Sequence, residues 1–303
     1  MKSGYPKKIT ELLCSKNEKY KTSNPWDDSL INQAIDDILE LNKNKEFYEI
    51  NNWIIFIKNQ FQRYKLIEQY FPKRNKDRTE HDKDRMSVAT YPEEMLMISN
   101  YLYVLKSYEL NGNFLEFGCY KGFSSSCLSL ACEELNINME IFDSFQGLPN
   151  VNHGFYKPGD YCGSLEEVKN NISTFGKINK TNFNKGFYEN SLLNFNKNPI
   201  LCIWMDVDLY KSSKDISYIL DKLPNYSCIF THEFPQMVDK QGISIKIDPN
   251  DSEVLPPIID KFIEINRNPI GRYITCHLGA IWDKNNGIPP LPFECILKIL
   301  NSN

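Results

Sequence analysis

From about residue 92 onward, short apolar runs that stop at a glycine or an acid alternate with stretches of helical periodicity. Leu115–Phe117 stops at Gly118, Met139–Phe142 at Asp143, Ile200–Met205 at Asp206, and Tyr226–Phe230 at Thr231-His232-Glu233. Each reads as a buried strand, and Thr181–Lys185 adds one more. Between them, Pro92–Leu110 carries Met95, Ile98, Tyr101, Leu102 and Leu105 on one helical face. Ser124–Leu135 has helical composition, Ser164-Leu-Glu-Glu167 forms a capping box that opens a helix to Phe175, and Lys211–Leu223 and Val254–Ile265 supply two more helices. Arg272–His277 and Gly279–Trp282 close the series as a strand pair. Strands alternating with helices predict an α/β fold with a doubly wound, mostly parallel sheet, whose ligands sit at the carboxyl ends of the strands. Glu116, Asp143, Asp206, His232 and Glu233 all fall at such ends.

Ahead of this pattern lies a helical extension. Residues 1–23 are polar and lysine-rich, Asn24-Pro25 can start a helix running to about Leu41, and Trp53–Phe71 carries a stripe of Ile54, Ile57, Phe61, Tyr64, Ile67 and Phe71 that suits burial against the following domain. Pro72–Arg85 is almost wholly charged and reads as a linker or lid, with Arg74, Arg78 and Arg85 able to meet an anionic substrate. The expected division is an extension with its linker over residues 1–84 and a second domain over 85–303, its last twenty residues peripheral.

Composition narrows the partners. The formal net charge of −4 gives no basic field for nucleic acid or an anionic membrane. Nine cysteines, an odd number without a Cys-x-x-Cys pair, suit reduced, buried thiols. Met1–Thr10 lacks the apolar core of a signal peptide, and no apolar run approaches the ~18 residues of a membrane span. A cytoplasmic enzyme is expected, acting on a small molecule or a glycan, with exposed helical stripes that suit a homodimer.

The turn after the first strand reads Glu116-x-Gly118-x-x-x-Gly122. Dinucleotide folds use Gly-x-Gly-x-x-Gly to bring the backbone against a pyrophosphate, and here the middle glycine is missing. An acid at the strand end suits a cationic ligand better than a phosphate. Asp143, about twenty residues on, is placed to accept ribose hydroxyls. The loop Asn150–Gly163, long and rich in glycine, proline and aromatics, is expected to line the same site.

The motifs Phe114-Leu-Glu-Phe-Gly-Cys-Tyr-Lys-Gly122 and Phe142-Asp-Ser-Phe-Gln-Gly-Leu-Pro149, with Gly186-Phe187-Tyr188 and Met205-Asp-Val-Asp-Leu-Tyr-Lys-Ser212, resemble the macrocin O-methyltransferase family over roughly residues 85–235. The resemblance implies a Rossmann-like class I fold and an S-adenosylmethionine-dependent O-methyltransferase acting on a sugar hydroxyl of a glycosylated natural product, a polysaccharide precursor or a nucleotide sugar. It assigns Glu116, Gly118, Tyr120, Gly122, Ser124, Asp143 and Ser144 to the cofactor, with Met86 in the segment that helps cover it. Its metal-holding carboxylates match Asp206, His232 and Glu233, with Asp208 in support.

The imidazole at 232 departs from that pattern. Magnesium prefers oxygen ligands, so the site either takes an ion tolerant of nitrogen, such as manganese, or has no metal and uses His232 as general base. Alternatives are methylation of an amine or carboxylate without metal, and a non-catalytic protein that keeps the cofactor.

Overall fold

A computed structural model describes residues 28–42, 48–71, 90–150, 156–193, 195–196, 199–232, 234, 254–275 and 278–302. Helices α1 (Asp28–Asn42), α2 (Tyr48–Glu68) and α3 (Pro92–Ser107) lead into β1 (Asn113–Phe117), followed by α4 (Phe123–Glu134) and β2 (Asn138–Asp143). Then come α5 (Leu165–Phe175), β3 (Thr181–Lys185), the single turn α6 (Tyr188–Ser191), β4 (Ile200–Met205), α7 (Tyr210–Ser217) and β5 (Cys228–Thr231). The described chain closes with α8 (Leu255–Glu264), β6 (Pro269–Tyr273), β7 (Gly279–Asp283) and α9 (Phe293–Asn301).

The strands form a seven-stranded sheet in the order β3-β2-β1-β4-β5-β7-β6. β1 to β5 are parallel, and β7 runs antiparallel between β5 and β6. Chain order reverses between β1 and β4, and a crevice opens beyond the carboxyl ends of strands at such a reversal. Phe117, the last residue of β1, stands beside Phe142 of β2 and Met205 of β4, so the three loops that follow leave the sheet side by side. All six residues of β4 are buried, as its continuous apolar run requires of a strand covered on both faces.

One face of the sheet packs under α2, α3 and α4 through Trp53, Tyr64, Leu102, Cys127, Trp204 and Phe230. The other packs under α7 and α8 through Phe117, Ile203, Ile216, Ile258 and Phe262. The stripe on α2 faces inward as expected: Trp53 Nε1 donates to Asn100 Oδ1 at 2.9 Å, and Tyr64 Oη lies 2.7 Å from Ser99 Oγ. α3 ends earlier than the sequence suggested, because Glu109 turns left-handed (φ 62°) and Leu110 N–H reaches back to Leu105 O at 3.2 Å.

The expectation of a peripheral C-terminus is corrected. α9 buries Cys295, Ile296 and Ile299, and Lys298 Nζ donates to Asp36 Oδ2 of α1 at 2.7 Å. Its apolar residues recur three and four apart, a spacing that demands a partner surface, and α1 and α2 provide it. Seven cysteines are described, all free thiols; Cys162 is exposed and the other six are buried. No helix among the described residues is long and apolar enough to cross a membrane.

Candidate active site

The turn from β1 into α4 is held by residues in left-handed conformation: Gly118 (φ 81°), Tyr120 (φ 47°) and Gly122 (φ 81°). A tyrosine in that region is strained, and such strain persists where the surroundings over-determine it. Gly122 is the N-cap of α4 without a side-chain cap, so the first amides of the helix face the turn.

Glu116 sits behind this turn. Its carboxyl is fully buried and accepts the hydroxyls of Ser124 and Ser125, each at 2.5 Å, which ties β1 to the first turn of α4. Burial pushes this carboxyl up to about 8, against the two serines that pull it down. Glu116, which the sequence reading assigned to the cofactor, braces the turn through its side chain and is not among the residues lining the cavity described below.

At the end of β2, Asp143 Oδ2 accepts Cys119 N–H at 2.9 Å and Oδ1 accepts Phe145 N–H at 2.6 Å, so one carboxylate joins the glycine turn to the next loop. Burial raises the Asp143 carboxyl above its usual range, opposed by the two amides. Ser144 Oγ donates to Gly147 O at 2.7 Å and accepts Gln146 N–H at 3.0 Å, which closes that loop. Leu148 N–H bonds Asp160 O at 2.8 Å, bringing the end of the 150–163 segment back against the loop after β2.

Asp206 follows β4, anchored by its N–H to Phe117 O at 2.9 Å. His232 follows β5. Its Nδ1 lies 3.7 Å from Asp206 Oδ1, its Nε2 lies 2.8 Å from Glu94 Oε2, and its ring meets Trp204 edge-on at 4.9 Å between centroids. Burial lifts the Asp206 carboxyl above its ordinary range, His232 opposes the rise, and Glu94 adds to it. The Asp206 side chain remains one-third exposed, toward the cavity.

These loops enclose a cavity of about 320 Å³. Gly118, Tyr120, Ser124, Asp143 and Ser144 line it, together with Asp206, Asp208 and His232. Gly122 does not reach it; Gly122 packs on Val168. Met86 and Glu233 lie outside the described residues, as do Arg74, Arg78, Arg85, His81, His153 and His277. The 150–163 loop lines the wall, as expected, through Tyr156 and Tyr161, whereas sequence reasoning did not single out Lys121, Lys211 and Asp215 on the wall or Glu94 behind it. Only Glu94 left a signal, an acid three residues after a Tyr-Pro helix start.

The wall carries Asp143, Asp206, Asp208 and Asp215 against Lys121 and Lys211, and Lys211 is already paired with Glu189. The excess of carboxylate suits a cationic ligand. A metal is less well served. Among the described residues no group of three His, Cys, Asp or Glu could hold an ion, and Asp206 with His232 offers one oxygen and one nitrogen. That donor set does not by itself fit magnesium.

A parallel sheet reversing beside a glycine turn, an acid closing the second strand against that turn, and an acid-lined cavity beyond them define a class I S-adenosylmethionine-dependent methyltransferase. Residues 26–234 match the family model described as Macrocin-O-methyltransferase (TylF), and the chain belongs to that family. Among solved structures it is similar to the O-methyltransferase NovP, with a TM-score of 0.56 at 15% identity over 74% of this chain and 97% of that one. A second similarity is to the SAH-bound methyltransferase PaMTH1 of Podospora anserina, with a TM-score of 0.43 at 13% identity over 84% and 97% of the two chains. No curated protein sequence matches the chain.

Proposed function

We propose that this protein methylates a hydroxyl of a sugar or similar polyol, in a glycosylated natural product, a polysaccharide precursor or a nucleotide sugar, with His232 as general base. The observation that carries the reading is that one cavity joins the glycine turn and Asp143 to Asp206, Asp208 and His232. When bound, S-adenosylmethionine supplies an electrophilic methyl group on a sulfonium.

Gly118, Tyr120 and Ser124 form the turn against which it would lie, and Asp143 would accept its ribose hydroxyls. Tyr120, Tyr161 and Tyr156 form a run of rings with centroids 6.1 and 6.3 Å apart. Such faces stack a sugar ring, and Asp206, Asp208 and Asp215 can accept its hydroxyl hydrogens. His232 Nδ1 would take the hydroxyl proton as the acceptor oxygen gains the methyl group that the bound sulfonium would supply. The imidazolium so formed stands between the carboxyls of Glu94 and Asp206. Holding the two reactants in line supplies most of the acceleration.

A divalent ion is the second reading, favoured by the Asp206–His232 separation of 3.7 Å, which exceeds hydrogen-bond reach. Asp206, His232 and Glu233 would hold it, and it would acidify the hydroxyl; the mixed donors favour manganese over magnesium.

The test is S-adenosylhomocysteine release and mass gain with a panel of sugars, nucleotide sugars and phenols, run with EDTA and with added magnesium or manganese. Turnover of a sugar that survives EDTA and falls ~10²- to 10⁴-fold in His232→Ala supports the base reading. Abolition by EDTA with rescue by manganese would replace the base with the ion, and transfer only to phenols or amines would overturn the sugar reading.

A further inference from the structure

His232 is the last member of a chain of hydrogen bonds whose direction the main chain sets. Leu278 N–H donates to Thr275 Oγ1 at 3.1 Å, and the Thr275 hydroxyl donates in turn to Glu94 Oε1 at 3.1 Å. On the other oxygen, Tyr91 N–H donates to Glu94 Oε2 at 2.9 Å. A backbone N–H can only donate, so Oε2 is engaged as an acceptor. As a carboxylate Glu94 only accepts, and the 2.8 Å bond between Glu94 Oε2 and His232 Nε2 then has its proton on the imidazole. In the neutral ring this leaves Nδ1 as the acceptor nitrogen, and Nδ1 is the atom on the Asp206 side, 3.7 Å from Oδ1.

A helix cap alone does not explain this arrangement. Glu94 is 1% exposed, and a carboxylate that only capped α3 would lose less hydration at the surface. Burial here is matched by three donors from three separate segments: the start of α3, the end of β5 and the segment joining β6 to β7. The N-terminus of α3 adds a favourable dipole for the charge. Trp204, edge-on to the imidazole, restricts its remaining rotation.

We propose that Glu94 is a positioning residue for His232: with Thr275 behind it, Glu94 holds the imidazole in the Nε2–H tautomer and turns Nδ1 toward Asp206 and the cavity. This rests on the O-methyltransferase reading, in which Nδ1 takes the acceptor's proton and Glu94 faces the charge that appears on the ring.

The experiment uses the full chain with ¹⁵N-labelled histidine, of which there are four residues, and assigns His232 by the signal lost in His232→Gln. At a pH where the ring is neutral, the wild type should show a protonated Nε2 and an unprotonated Nδ1. Glu94→Gln, whose amide can donate to Nε2, should shift the ring toward the Nδ1–H tautomer. It should lower kcat by at least about 10-fold with the acceptor KM and the S-adenosylhomocysteine Kd unchanged. Thr275→Val, a milder change of the same volume, should move both readouts the same way by less, and it keeps the test open if Glu94→Gln fails to fold. An Nδ1–H tautomer in the wild type, or Glu94→Gln with both tautomer and kcat unaltered, would overturn the proposal. The spectrum reads the tautomer with or without turnover, so failure to methylate any acceptor would count against the functional reading while the spectrum still decides on Glu94.

Discussion

Gly118 lies so close to Asp206 that a β-carbon at position 118 would stand 2.1 Å from the Asp206 carbonyl oxygen. The contact joins the turn after β1 to the loop after β4, the two loops that leave the sheet where its order reverses. Backbone cannot yield as a side-chain tip can, and Gly118 also holds φ 81°. Gly118→Ala should therefore force the loops apart. We expect S-adenosylhomocysteine affinity to fall at least about 10-fold and stability to drop by roughly 2 kcal/mol, from strain of the kind left-handed non-glycine residues carry. Calorimetric titration and a urea melt would measure the two losses; wild-type affinity in the variant would show that the turn does not form the cofactor's seat.

Glu116 gives a pH dependence with a definite sign. Its carboxyl titrates near 4.5 when unperturbed and near 8 in the fold, because burial disfavours its charge. Between those values the native state keeps a proton that the unfolded state has lost, so stability falls as pH rises, by up to ~1.4 kcal/mol per pH unit from this group. Glu116→Gln keeps the size and an oxygen for a serine hydroxyl and removes the titration. Its unfolding free energy should be flatter between pH 5 and pH 8 than that of the wild type. Parallel curves for the two proteins would show that Glu116 is not the group responsible.

Much of this site was legible because its signals are local. An apolar run that stops at an acid marks a strand end, and that rule found Asp143 and Asp206 before any contact was known. The doubly wound, mostly parallel sheet then followed from strand–helix alternation, though the order of its strands did not. Glu116 obeyed the same rule yet turned away from the cavity: one residue before the strand's end, its side chain points under α4, where Ser124 and Ser125 stand in the first turn. The pairing of Glu94 with His232 was out of reach for another reason, although the cap itself left a signal. Glu94 lies 138 positions from His232, and its helix is buried on nearly every side, so no polar face singled it out. The stripe on α9 was present in the sequence as well, but only the fold shows what covers it.

Asp143 binds two backbone amides from two loops, which makes it a strut as well as a candidate ribose acceptor. Asp143→Ala leaves Cys119 N–H and Phe145 N–H unpaired, and an unsatisfied buried donor costs about 1–3 kcal/mol. Cofactor affinity should fall ~10- to 100-fold. Asp143→Asn, which can still accept one amide through its single oxygen, should fall less. An Asp143→Asn affinity as poor as that of Asp143→Ala would place the requirement in the charge and not in the strut.

The N-terminal helices and the C-terminal one share one core with the sheet. Ile296 of α9 is fully buried, in the cluster that also holds Trp53 of α2 and Trp204 of β4. If the unit is cooperative, a cavity at Ile296 should lower the stability of the whole and not loosen one end. Ile296→Ala is expected to cost about 2–5 kcal/mol. Far-ultraviolet circular dichroism and tryptophan fluorescence should then report coincident urea transitions, both shifted to lower denaturant. Transitions that separate in the variant, with fluorescence moving first, would mean that α1, α2 and α9 form a layer able to melt off an intact sheet. Glu94 would distinguish the two cases again: its helix, α3, lies between that layer and the sheet, so a loose layer would free the His232 partner before the strands let go.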